Sequence, residues 1–138
     1  ALVKAHLSHI QFAKDHGLLE DMVSKDQKSM SPMLGRIRGK VEETGNTELG
    51  MIAMFDRTSC FYQMLSEWDS EPGMRRYKEP FGYVLELGKR IGQFDMTVDE
   101  IHEVYTKPRY HGYAEQLGLK LDVTDIDSDG YITVTLIK

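Results

Sequence analysis

Cysteine is almost missing from this chain: Cys60 is the only one in 138 residues. No disulfide can form within the chain, and a reducing, cytoplasmic setting is the expectation. Long apolar runs are missing too. Nothing approaches the ~18 consecutive residues that a membrane helix needs, so no membrane association is expected. The first stretch, ALVKAHLSHIQFAKDHG, is interrupted by Lys and His too early for the core of a signal peptide. There is no internal repeat or low-complexity segment, and neither a Walker spacing nor a dinucleotide fingerprint. Ser59 lacks the glycines of a nucleophile elbow. Cys60 has no nearby base or cation in the sequence that would activate a thiol, so it reads as an inert thiol. These absences remove the common cofactor and covalent-catalysis classes, and no catalytic residue, cofactor or metal is assigned.

What is present belongs to a globular chain: 41% of residues are apolar and 28% charged. The length suits one domain, residues 1–138. The net charge of −5 hides a segregation. Residues 24–40 carry Lys25, Lys28, Arg36, Arg38 and Lys40 against Asp26 alone. The stretch GMRRYKEPF adds Arg75, Arg76 and Lys78, whereas acids dominate from Asp95 onward. A basic region and an acidic region in one molecule bear on its partners rather than on its fold.

Periodicity of 3.6 governs residues 1–118. Val3, Leu7, Ile10, Leu18 and Met22 share one side of a helix over residues 2–24, bent at Gly17. SPMLGRIRGKVEET offers Ser31 as a cap and Pro32 at the first helical position, so a second helix is expected to start there and stop at Gly45-Asn46. A central helix, capped by Thr47, carries Ile52, Met54, Phe55, Phe61, Tyr62 and Leu65. DSEPGM reads as a turn over residues 69–74. A further helix starts near Pro80, and Thr97-x-x-Glu100 has the spacing of a capping box. Pro108 is expected to stop that helix, with RYHGYAEQLG forming one more.

The period then changes to 2. Leu119, Leu121 and Val123 alternate with polar residues, as do Ile132, Val134 and Leu136. Between them DIDSDG resembles the start of an EF-hand loop, with Asp125, Asp127 and Asp129 at alternate positions and a glycine next. The closing glutamate is missing, since Leu136 occupies its place, and the flanks are strands rather than helices. A hairpin with Asp127–Gly130 as its loop instead pairs Val123 with Val134 and Leu121 with Leu136, with Thr124 opposite Thr133. The expected fold class is therefore α+β: mainly helical over about residues 1–118, with a C-terminal β-hairpin over about residues 119–138.

Several clusters merit weighing as sites. His9, His16 and Glu20 share a polar sector, but His9 lies too far along the axis to join His16 on one ion. A metal would need His102, His111 or an acid from elsewhere to converge on them. Asp99, Glu100, His102 and Glu103 are dense in acid–base groups, yet acids at a helix start are also what the macrodipole favours. The C-terminal order of helices and hairpin resembles a winged helix, with Arg109, Tyr110, His111, Tyr113 and Gln116 facing the groove. The acidity of that half opposes phosphate binding.

The stretch SKDQKSMSPMLGRIRGK is the most suggestive. Its helix start at Ser31 would present N–H groups, and Arg36 and Lys40 stand one turn apart. The expected function is a small binding or regulatory protein. It would engage nucleic acid or another polyanion through Lys25, Lys28, Ser31, Arg36, Arg38, Lys40, Arg75 and Arg76. Two alternatives are a protein–protein adaptor or inhibitor using the acidic half, and a small enzyme on a phosphorylated substrate. In the latter, Arg36 and Lys40 would hold phosphate and Glu100 or His102 would carry the proton.

Overall fold

The expected bend at Gly17 is a complete break. In the computed structural model, which describes residues 1–57 and 63–137, α1 spans Leu2–Asp15 and α2 spans Leu19–Thr44. Gly17 takes a φ of +67° between them, a left-handed conformation that glycine adopts without a Cβ penalty. Ser59, Cys60, Phe61 and Tyr62 lie outside the described residues. No helix among the described residues is long and apolar enough to cross a membrane.

Ser31-Pro32 does not start a helix. Pro32 lies inside α2, because the apolar side formed by Val23, Met30, Leu34 and Val41 continues past it into the core. An interior proline ordinarily costs a helix about 3 kcal/mol. Two side chains reinforce the turn it weakens: Ser31 Oγ donates to the Gln27 carbonyl at 3.2 Å, and Gln116 Nε2 donates to the same oxygen at 3.1 Å.

After Gly45, α3 (Glu48–Met51) runs into a π-helical turn over Ile52–Asp56, closed by the Arg57 N–H on the Ile52 carbonyl at 3.0 Å. The expected turn at DSEPGM narrows to Pro72-Gly73. It joins β1 (Trp68–Glu71) to β2 (Met74–Lys78), with Gly73 at a φ of +76°. Next, α4 spans Gly82–Arg90. Thr97 caps α5 (Val98–Ile101), its Oγ1 accepting the Glu100 N–H at 3.0 Å. Only half of the capping box forms, because the Glu100 carboxylate goes to Lys14 instead.

Pro108 does not stop this helix. A second π turn, His102–Thr106, carries it directly into α6 (Lys107–Gln116). The wide turn relieves the clash between the proline ring and the preceding carbonyls. One continuous run thus replaces the two helices of a winged-helix order.

The C-terminal hairpin forms in the expected register. β3 (Leu121–Val123) and β4 (Tyr131–Leu136) pair Val123 with Val134 and Leu121 with Leu136. Asp127 Oδ1 organises the turn by accepting the N–H groups of Asp129 and Tyr131, each at 2.9 Å. The hairpin is half of a larger element: β2 pairs with β4, giving a four-stranded antiparallel sheet in the order β1-β2-β4-β3. The fold class is α+β.

Two apolar clusters hold these elements. The first packs the inner face of the sheet, with Tyr77, Ile132 and Val134, against α2, the first π turn and α6 through Leu34, Phe55 and Tyr110. The second joins α1, α4 and α5 through Leu7, Ile10, Phe81, Leu85, Phe94 and Ile101. The second π turn lies where the clusters meet.

Candidate ligand-binding cavity

A cavity of about 90 Å³ opens at that junction. Met54 of the first π turn, with Leu65, Ile132 and Tyr77, walls one side, and Phe81, Val98 and Ile101 wall the other. Met30 and Met64 add flexible thioether side chains, which adapt to irregular shapes and favour aromatic contacts. A volume of this size has room for a few waters.

The π turn brings His102, Tyr105 and Thr106 to the cavity together. His102 is buried, with 3% of its surface exposed. Its Nε2–H donates to the Thr124 carbonyl at 2.7 Å. A carbonyl only accepts, so in the neutral ring this bond fixes the tautomer and leaves Nδ1 with a lone pair. That Nδ1 is buried and has no hydrogen-bond partner among the described residues. Such an atom ordinarily finds a partner in a folded protein.

Four other polar side chains at the cavity, Tyr77, Tyr110, Glu79 and Arg109, have partners. The Tyr77 and Tyr110 hydroxyls lie 2.8 Å apart, and burial raises both pKa values, that of Tyr110 to about 12. Both therefore stay protonated at neutral pH. The Glu79 carboxylate accepts the N–H groups of Phe81, at 2.8 Å, and Gly82 at the start of α4. Burial nevertheless lifts its pKa above the ordinary glutamate value. Arg109 stacks over the Tyr105 ring, 4.5 Å from its centroid, and donates to Asp26 at 3.0 Å. Asp26 also accepts the Tyr113 hydroxyl, whose pKa is raised chiefly by burial. His6, not singled out from the sequence, lines the cavity from α1.

The anticipated basic set divides. Arg75 is no anion site: it is buried, and its Nε and Nη2 donate to Asp56 and Glu48 while Nη1 donates to the Glu71 and Met74 carbonyls. Arg76 lies over the Tyr131 ring and 3.8 Å from Asp127. Arg38 pairs with Glu42 on a different side of α2. Ser31 is exposed but sits inside the helix, where it offers no free N–H groups. Lys25, Lys28, Arg36 and Lys40 remain. All are exposed and fall on one side of α2 at ~100° per residue, with no ion pair to an acid among the described residues. A Cβ on Gly35 or Gly39, on the same side, would meet nothing within 4 Å.

The other anticipated groups do not assemble. The break at Gly17 removes the one-turn relation of His16 to Glu20; the His16 ring stacks on Phe12, while His9 and His111 are exposed elsewhere. No group of three or more potential metal ligands gathers among the described residues. Arg36 and Lys40 are exposed and do not line the cavity, whereas His102 does, so the parts of the anticipated enzyme do not meet there. In the winged-helix set, Tyr110 and Tyr113 are buried and Gln116 is bonded to α2, which removes that groove. Several acids of the C-terminal half are compensated locally: Glu103 and Asp125 by Lys107, Glu100 by Lys14.

Comparison with protein-family models, with curated proteins and with solved structures finds no significant match to this chain.

Proposed function

We propose that this chain is a small-molecule-binding protein whose ligand occupies the cavity between the two apolar clusters. One observation carries the reading: a cavity at the junction of the two clusters whose lining is mostly apolar and aromatic, with His102, Glu79 and Arg109 among its few polar residues. Ligand sites have this composition, a mostly apolar lining with a few polar groups that fix orientation. The π turn that supplies His102 agrees, since π-bulges recur at functional sites. A thermal-shift screen of small aromatic compounds tests it. Binders raise Tm in proportion to the logarithm of their concentration, and filling the cavity with Met54→Phe removes the rise. A screen without any concentration-dependent rise would sink the reading.

A second reading concerns the outer side of α2, and its support is the row of Lys25, Lys28, Arg36 and Lys40, exposed and uncompensated. On this reading the row binds nucleic acid or another polyanion. Counterion release makes such binding fall steeply with salt, with a slope near 0.9 per phosphate contact. The variant Lys25→Gln/Arg36→Gln/Lys40→Gln should flatten that slope, by up to roughly 3 units. Absent or salt-insensitive binding removes the second reading and leaves the first untouched.

A further inference from the structure

The arginine at the cavity is only partly used, and its unused edge describes the group that would complete it. A guanidinium carries five N–H donors. Arg75 places all of them, on Glu48, Asp56 and two backbone carbonyls. Arg109 places two: Nε donates to Asp26 at 3.0 Å and Nη2 to the Tyr113 hydroxyl at 3.3 Å. The Nε–Nη2 edge is thus occupied. Along the Nη1–Nη2 edge, three hydrogens have no partner among the described residues. That edge is open: Nη1 is not among the fully buried partnerless atoms, so a water-sized molecule reaches it. Arg109 lines the cavity, and its guanidinium carbon lies over the Tyr105 and Tyr113 rings, 4.5 and 5.7 Å from their centroids, which line it too. Burial dominates the pKa values of the Tyr77 and Tyr110 hydroxyls in the wall, and the Arg109 charge acts on both against it. The guanidinium is therefore within electrostatic reach of that wall.

We propose that the ligand is a short-chain aliphatic monocarboxylate, its carboxylate held by the Nη1–Nη2 edge of Arg109 and its chain in the cavity. This rests on the reading of the cavity as a ligand site and narrows it to a chemical class. Two parallel N–H groups of a guanidinium match the two oxygens of a carboxylate. Met54, Leu65, Ile101 and Ile132 supply apolar walls for the chain, and room for a few waters keeps that chain short. Asp26 does not forbid a second acid on Arg109, since Arg75 holds two carboxylates on one guanidinium. The acid that lines the cavity, Glu79, accepts the N–H groups of Phe81 and Gly82.

Butyrate and 1-nitropropane test the proposal, since they share a shape and differ in charge; both belong in the thermal-shift screen. Calorimetry on the full chain should give a butyrate-to-nitropropane affinity ratio that falls about tenfold in Arg109→Lys, which keeps the charge and loses the fork. Hydration of the free ligands cancels in that comparison. A second measurement needs no variant: the guanidinium resonances of the wild-type protein. Butyrate should slow rotation of the Arg109 NH₂ groups and separate their hydrogen signals, and 1-nitropropane should leave them unchanged. The variant Lys25→Gln/Arg36→Gln/Lys40→Gln should bind butyrate as the wild type does; a loss there would move the anion to the outer side of α2 and overturn the proposal. If both compounds bind but the ratio and the guanidinium signals are unmoved, the carboxylate class is wrong while the cavity remains a ligand site. If neither binds, nor any other compound in the screen, the cavity reading fails together with it.

Discussion

Arg75 and His102 are buried to nearly the same degree, 4% and 3% exposed, yet the fold treats them oppositely. Arg75 has all five guanidinium hydrogens placed: two carboxylates take three and two backbone carbonyls take the rest. A buried charge demands this, because its desolvation is offset only by near-complete pairing. His102 has one nitrogen bonded and the other unpaired among the described residues. The first pattern belongs to a group that ties β2 to α3. The second belongs to a group that the fold leaves partly unused beside a cavity. Burial alone therefore does not show how fully the fold uses a polar residue, whereas the count of satisfied donors and acceptors does.

The contrast predicts unequal costs of truncation. Arg75→Ala leaves Glu48 and Asp56 facing each other without their cation and should cost about 3 kcal/mol. This lies at the low end for a buried ion pair because both acids keep partial contact with water. Chemical denaturation gives the value; a loss near zero would place Arg75 among weak surface pairs. Removing one hydroxyl of the buried tyrosine pair, by Tyr77→Phe or Tyr110→Phe, should cost about 1–2 kcal/mol, since the other is left unsatisfied. The double variant should cost clearly less than the sum, as groups sharing one bond are not additive. His102→Leu should cost only about 1 kcal/mol, the bond to Thr124, because the unpaired Nδ1 contributes nothing to lose. If His102→Leu proves as damaging as Arg75→Ala, the division between the two residues collapses.

The same two residues show where sequence reading reached and where it stopped. The C-terminal hairpin was legible because Leu121, Val123, Ile132, Val134 and Leu136 alternate cleanly, and a period of 2 fixes the register. β2 was hidden because its inward positions are Arg75 and Tyr77. An arginine on an inner face reads as solvent-facing until Glu48 and Asp56, distant in the chain, arrive to pair with it. Turn chemistry at Pro72-Gly73 was visible, but not the strands on either side. At Ser31-Pro32 and at Pro108 local signals marked boundaries that tertiary packing overrode: the apolar side of α2 runs through the first, and a π turn absorbs the second. That π turn also decides which way His102 points. In sequence the histidine stood among Asp99, Glu100 and Glu103 as part of an acidic helix start. Local patterns do not encode a change of helical register, so the cavity was not foreseeable from them.

The smallest expected effect concerns exposed carboxylates, and it separates two ways of holding one. Asp127 has its pKa lowered chiefly by the Tyr131 N–H, and Asp125 chiefly by the Lys107 ammonium. An acid whose pKa is lower in the folded chain adds stability above its unfolded value, ~3.9 for aspartate, and that stability is lost as pH falls through the folded value. Both groups should therefore contribute to a decline on the acid side of pH ~4. Glu79 has the opposite sign: its raised pKa favours folding while the carboxyl is protonated, and that contribution disappears as pH rises through the folded value. Salt distinguishes the two aspartates, because it screens the exposed ion pair but not a bond to a neutral backbone amide. Asp127→Asn retains an oxygen for the turn and cannot titrate. It should flatten part of the acid decline at low salt and, apart from the share due to Arg76, at high salt as well, whereas Lys107→Met should do so only at low salt. Acid denaturation followed by circular dichroism at the two salt concentrations reads both effects, and an acid limb in Asp127→Asn that matches the wild type would show that the turn carboxylate is not what titrates.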